Sequence, residues 1–135
     1  MSIRLDHVIV PSRARKASAE LLASILGVPW SEETSVGPFC PVYVNEELTL
    51  DVGEIDAAFS VQHYCFQVSE ADFDAIFAKL QDKGIAYRST PMGPVDMQIK
   101  TQSGGRNVYW SEPDGHVWEI LTVSYARQPQ AKQQT

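Results

Sequence analysis

The sequence predicts an α+β fold in which two βαβββ modules share one chain of 135 residues. Three observations predict it. A strand-like segment, then a helix-like one, then further strand-like segments occur twice along the chain. Each half opens on a strand holding a histidine: His7 in Leu5–Val10 and His63 in Val61–Val68. Each half closes on a strand holding one acid among apolar residues, Asp51 in Leu48–Val52 and Glu119 in Val117–Leu121.

The elements follow in order. Ile3–Val10 is expected to be a strand ended by Pro11-Ser12, with Leu5, His7 and Ile9 on one face because strand side chains alternate. From Ala14 the period changes. Ala17, Ser18, Leu21, Leu22, Ile25 and Leu26 form one helical stripe, and Gly27 is placed to cap it. Val28-Pro29-Trp30 and the acidic run after it read as a weak or edge strand. Phe39–Val44 and Leu48–Val52 read as a hairpin around Asn45-Glu46.

In the second half Val61–Val68 is a strand. Ser69 is an N-cap with Asp72 three residues on, and Phe73, Ile76, Phe77 and Leu80 make the helical stripe, which Gly84 caps. Ile85–Arg88 is a short strand. Thr90–Gly104 reads as a long connection. Gly105–Val123 reads as two strands joined by Glu112-Pro113-Asp114-Gly115, where Pro presets φ and Gly accepts a positive one. Residues 1–126 are thus expected to be one domain, with module one at about 3–58 and module two at about 59–126. The Gln-rich residues 127–135 are expected to be a polar, disordered tail.

Composition narrows the partners. The net charge of −6 argues against nucleic acid and anionic membrane, and no run of about 18 apolar residues is present. The N-terminus has no signal-like apolar region, so a cytoplasmic location is expected. Cys40 and Cys65 both fall in strands and are expected to be small buried residues. No phosphate-binding glycine loop, no G-x-S-x-G and no C-x-x-C occurs.

Glu119 shares a face with Val117 and Leu121. A carboxylate on an apolar stripe is costly unless it is paired, hydrogen-bonded or metal-bound. A lone strand histidine is most often a satisfied core residue. Two histidines and a carboxylate at equivalent places in a repeat are harder to dismiss. They match the two-His-one-carboxylate set, which suits Fe, Mn, Zn or Ni and leaves coordination positions open.

These segments, together with Asn107-Val108-Tyr109-Trp110-Ser111-Glu112-Pro113-Asp114-Gly115 before Glu119, resemble the vicinal oxygen chelate superfamily. That group contains glyoxalase I, extradiol dioxygenases, fosfomycin-resistance transferases and bleomycin-resistance binding proteins. The resemblance covers about residues 3–125. Members often carry Asp where this chain has Glu112. The resemblance implies a sheet curled around a metal cleft, metal ligation by His7, His63 and Glu119, a small oxygen-chelating substrate and a homodimer. It implies a divalent-metal enzyme of the glyoxalase/dioxygenase type. The alternatives are a binding protein without turnover and, behind it, a fosfomycin-type transferase.

Asp51 is the positional candidate for a fourth, glyoxalase-like ligand. It or Glu47 could supply a base, and Tyr109 is a candidate catalytic residue beside the metal. Ile9 stands where the fosfomycin branch has a threonine hydroxyl. His116 is expected to be a turn residue facing away from Glu119. Trp30, Tyr43, Tyr109 and Trp110 are candidates either for lining a cleft or for the core.

Overall fold

The computed structural model describes residues 1–32 and 37–127. Residues 33 and 34 of the predicted acidic edge segment (31–34) and the tail beyond Arg127 lie outside the described residues. The chain divides into two compact units. One comprises Met1–Val61 with Glu112–Gly115, and the other Gln62–Ser111 with the residues from His116 onward. No helix is long and apolar enough to cross a membrane.

Unit one holds β1 (His7–Ser12), α1 (Arg15–Leu26), β2 (Phe39–Tyr43) and β3 (Thr49–Glu54). The sheet order is β1-β3-β2, with β1 parallel and β2 antiparallel to β3. The predicted strand at 28–30 is reduced to a single antiparallel bridge from Trp30 to Val42. Alternation sorts the faces. Val10, Cys40, Val42, Leu50 and Val52 are buried on the face that meets α1, which supplies Ala19, Leu22, Ala23 and Ile25. The opposite face carries His7, Ile9, Thr49, Asp51 and Tyr43.

The first strand differs from its predicted limits at both ends. It begins at His7 because β3 begins at Thr49, whose N–H reaches only as far as the Asp6 carbonyl; Ile3 and Leu5 are exposed. It continues through Pro11 because β1 is an edge strand, where a missing N–H need not break a ladder. Gly27 ends α1 as expected, at φ +72° with its N–H on the Ala23 carbonyl.

Beyond β1, Arg13 gathers the connector after β3. Its guanidinium donates to the carbonyls of Ile55, Asp56 and Ala57 and lies 4.8 Å from the centre of the Phe59 ring. Asp114 accepts from the Arg13 N–H and the Ser18 hydroxyl, both at 2.9 Å.

Unit two holds β4 (His63–Gln67), α2 (Glu70–Asp82), β5 (Tyr87–Arg88), β6 (Lys100–Gln102), β7 (Gly105–Ser111) and β8 (Val117–Leu121). The order β4-β8-β7-β5 repeats that of unit one: the first strand again lies parallel to the last. The addition is β6, which pairs with β7 inside what the sequence reads as a plain connection. Ser103 and Gly104 turn the chain between them with φ of +53° and +81°.

Ser69 caps α2 by accepting from the Asp72 N–H at 3.1 Å. The helix buries Phe73, Ile76 and Leu80. The sheet face of Trp110, Trp118, Val108 and Ile120 is buried as well. Trp118 stacks on Tyr64 and Phe66 at 4.6 and 6.0 Å between ring centres.

Candidate functional site

On the other face of the unit-two sheet, polar residues are concentrated where an apolar stripe would be ordinary. The register sets Cys65 and Tyr109 on either side of Glu119, with Asn107 two residues before Tyr109 and His63 two residues before Cys65. All five therefore share a face. Glu119, Asn107 and Tyr109 are buried, and Glu119 is fully so. A buried carboxylate is tolerable only with donors around it. The Tyr125 hydroxyl, from the segment after β8, donates to both carboxylate oxygens, at 2.7 and 2.8 Å. Asn107 Nδ2 donates to Oε2 at 3.1 Å and to the Tyr109 hydroxyl at 3.2 Å. The two tyrosine hydroxyls lie 3.2 Å apart. Burial pushes both phenols up from their ordinary titration range. Cys65 is exposed as a residue, but shielding of its sulfur on the site face, with help from the Glu119 charge, pushes the thiol up to about 12.

His63 carries the most informative geometry. Its Nδ1 lies 3.0 Å from the Val117 carbonyl, which can only accept, so Nδ1 carries the hydrogen. In the neutral ring Nε2 is then a lone pair. That atom lies 3.2 Å from Glu119 Oε1, a second acceptor. Two acceptors face to face require a proton on the ring or a cation held between them. Ligands at about 2.0–2.2 Å from one metal are themselves about 3–3.5 Å apart. The pair therefore fits a shared metal ion.

His7 shows the same device in unit one. Its Nδ1 lies 2.8 Å from Asp6 Oδ2, which leaves Nε2 as the lone-pair atom of the neutral ring and raises the imidazole pKa, first through that hydrogen bond. It lines a groove of about 410 Å³ with Ile9, Phe39, Tyr43, Thr49 and Asp51. Asp51 sits opposite Ile9, half-buried. Glu47 instead points to Arg4 at 3.5 Å in solvent.

Of the three predicted ligands, unit two brings His63 and Glu119 together and unit one holds His7 in its own groove. No group of three or more His, Cys, Asp or Glu side chains gathers as a cage among the described residues. Two other readings need correction. Cys65 is exposed, since it lies on the site face of edge strand β4. His116 lies just past the turn, fully buried among Tyr64 and Trp118, with Nδ1 accepting from the Gln62 N–H at 2.9 Å. Trp110 is core, whereas Tyr43 is 41% exposed on the groove.

Asn107 and Tyr125 lie outside the set of site residues the sequence predicts. Asn107 carried a usable signal: it is a polar residue in register with the Glu119 face. Tyr125 carried none, because it lies outside any periodic segment.

No family model matches the chain. Among solved structures it is similar to one described as Oxidase ChaP-H2, at 40% identity over 96% of this chain and 100% of that one, with a TM-score of 0.87. The fosfomycin resistance protein FosX from Listeria monocytogenes gives 16% identity over 93% and 97%, with a TM-score of 0.69. A glyoxalase/dioxygenase from Nostoc punctiforme gives 19% over 90% and 91%, with a TM-score of 0.67. The last two likenesses are of fold alone.

Proposed function

We propose a divalent-metal-dependent enzyme, an oxidase acting on a small oxygen-chelating substrate, for this chain, which belongs to the vicinal oxygen chelate superfamily. The observation that carries the metal reading is the His63–Glu119 pair, an imidazole nitrogen and an oxygen of a fully buried carboxylate facing each other at 3.2 Å. The oxidase reading rests on the name of the relative at 40% identity, and we take dioxygen as the electron acceptor. We take His7, His63 and Glu119 as the ligands, Fe, Mn, Zn or Ni as the candidate metals, and a homodimer as the working species.

When bound, the metal would supply Lewis acidity to substrate oxygens and, if redox-active, a route for electrons. The protein's part is to place groups. Val117 and Asp6 hold the two imidazoles with Nε2 free of hydrogen. Asp51, which lines the groove with His7, would take a proton from a substrate held there. Tyr109, with its oxygen accepting from Asn107, keeps its own hydrogen to donate toward Tyr125.

Oxygen-electrode assays of the metal-loaded protein with catechols and α-hydroxyketones test the reading. Dioxygen uptake that a chelator stops, and that Glu119→Gln lacks, is expected. Chelator-insensitive binding of these compounds with no turnover would favour a binding protein instead.

A further inference from the structure

Glu119 has two oxygens with unequal surroundings. Oε1 is the one that faces His63 Nε2, at 3.2 Å. Oε2 is held by Asn107 Nδ2 at 3.1 Å and by the Tyr125 hydroxyl at 2.8 Å. Tyr125 also reaches Oε1, at 2.7 Å, so its single proton is shared between the two. A cation arriving at Oε1 takes that share and leaves the proton to Oε2, where Asn107 already donates.

Asn107 adds a second observation. Its amide spends both hydrogens on neighbours of the site, and its buried Oδ1 has no hydrogen-bond partner among the described residues. Turning the amide over would give Oδ1 the Tyr109 hydroxyl as a donor but would strip Oε2 of one. The orientation adopted favours the carboxylate over the amide's own satisfaction.

Resting on the metal reading above, we propose that Asn107 and Tyr125 are positioning residues: together they clamp Oε2 of Glu119 so that Oε1 is presented to a divalent cation beside His63. The segment after β8 is then part of the metal centre, although none of it ligates. Hydrogen-bond partners of ligating side chains commonly set affinity by about 10–100-fold.

The test is Mn(II) titration of the full chain, with free Mn(II) read by EPR. Tyr125→Phe keeps the ring and removes the hydroxyl, so its Kd for Mn(II) should rise about 10–100-fold. Ser124→Ala disturbs the same segment without touching Glu119, since Ser124 Oγ accepts from the Ala126 N–H, and it should bind as the parent does. Visible bands of the Co(II)-loaded protein should shift in Tyr125→Phe and not in Ser124→Ala. A purely structural role would not move them. Equal affinity in Tyr125→Phe overturns the clamp, and tighter binding makes Tyr125 a competitor for the carboxylate. If the parent protein takes up another of the candidate metals in place of Mn(II), that metal is titrated instead; if it takes up none of Mn(II), Fe(II), Ni(II) and Zn(II), the metal reading itself fails and the clamp fails with it.

Discussion

Glu119 is where sequence and chemistry meet most closely. It is fully buried on a strand whose neighbours Trp118, Ile120 and Leu121 are also buried, and donors rather than solvent surround its carboxylate. Two substitutions separate its roles. Glu119→Gln keeps the shape and removes the charge, so the protein should stay folded while metal uptake falls to background. Glu119→Ala leaves a cavity and unpaired donors on Asn107 and Tyr125, and should cost about 2–4 kcal/mol in urea unfolding.

The awkwardness of Glu119 was legible from alternation alone. So was its relation to His63, because each half opens on a histidine strand and closes on an acid-bearing one, and in unit two these are the parallel pair β4 and β8. The donors around it were not equally legible. Asn107 obeys the same parity argument as Glu119, whereas Tyr125 reaches the carboxylate through a turn that no period encodes. His116 faces away from Glu119 as parity predicts, but turn chemistry at 112–115 says nothing about the burial of the next side chain, which falls into the aromatic core.

At the scale of elements, local signals and tertiary pairing contributed differently. The Ser69 cap and the Phe73, Ile76 and Leu80 stripe were readable because capping and helical period are local. Ser69→Ala should cost about 1 kcal/mol, measured by chemical denaturation, because the Asp72 N–H loses its acceptor. The strand β6 was hidden because three residues within a Pro- and Gly-containing connection carry too short a pattern, and only pairing with β7 makes them a strand.

The connection just before it is organised by Asp96. Its carboxylate accepts from the Ser89 hydroxyl and from the Ser89 and Gln98 N–H groups. The Ser89 hydrogen bond, above all, holds the Asp96 pKa below its ordinary value. A depressed carboxylate contributes stability above its unfolded pKa and loses it as pH falls through the lower folded one. NMR titration should therefore place the Asp96 midpoint below that of an unstructured peptide, and Ser89→Ala should move it back up.

For the whole molecule, the twice-repeated order, with the first strand parallel to the last in each unit, explains why one short chain carries two histidine strands and two acid-bearing strands. Membership of the family follows from a relative 40% identical across its full length, while the more distant likenesses speak only to fold. The exposed Ile9 and Tyr43 on the His7 face and the exposed His63 agree with our inference of a homodimer. Light scattering should give about twice the chain mass of 15.0 kDa, and a monomer at working concentration would contradict it.

The central claim is that His7, His63 and Glu119 hold a divalent metal, and metal analysis tests it most directly. Protein reconstituted with Fe(II), Mn(II), Ni(II) or Zn(II) and then desalted should retain about one equivalent per chain of at least one of them, and His63→Ala should retain almost none. Less than about a tenth of an equivalent of every metal in the parent protein, or full retention in His63→Ala, would contradict the account.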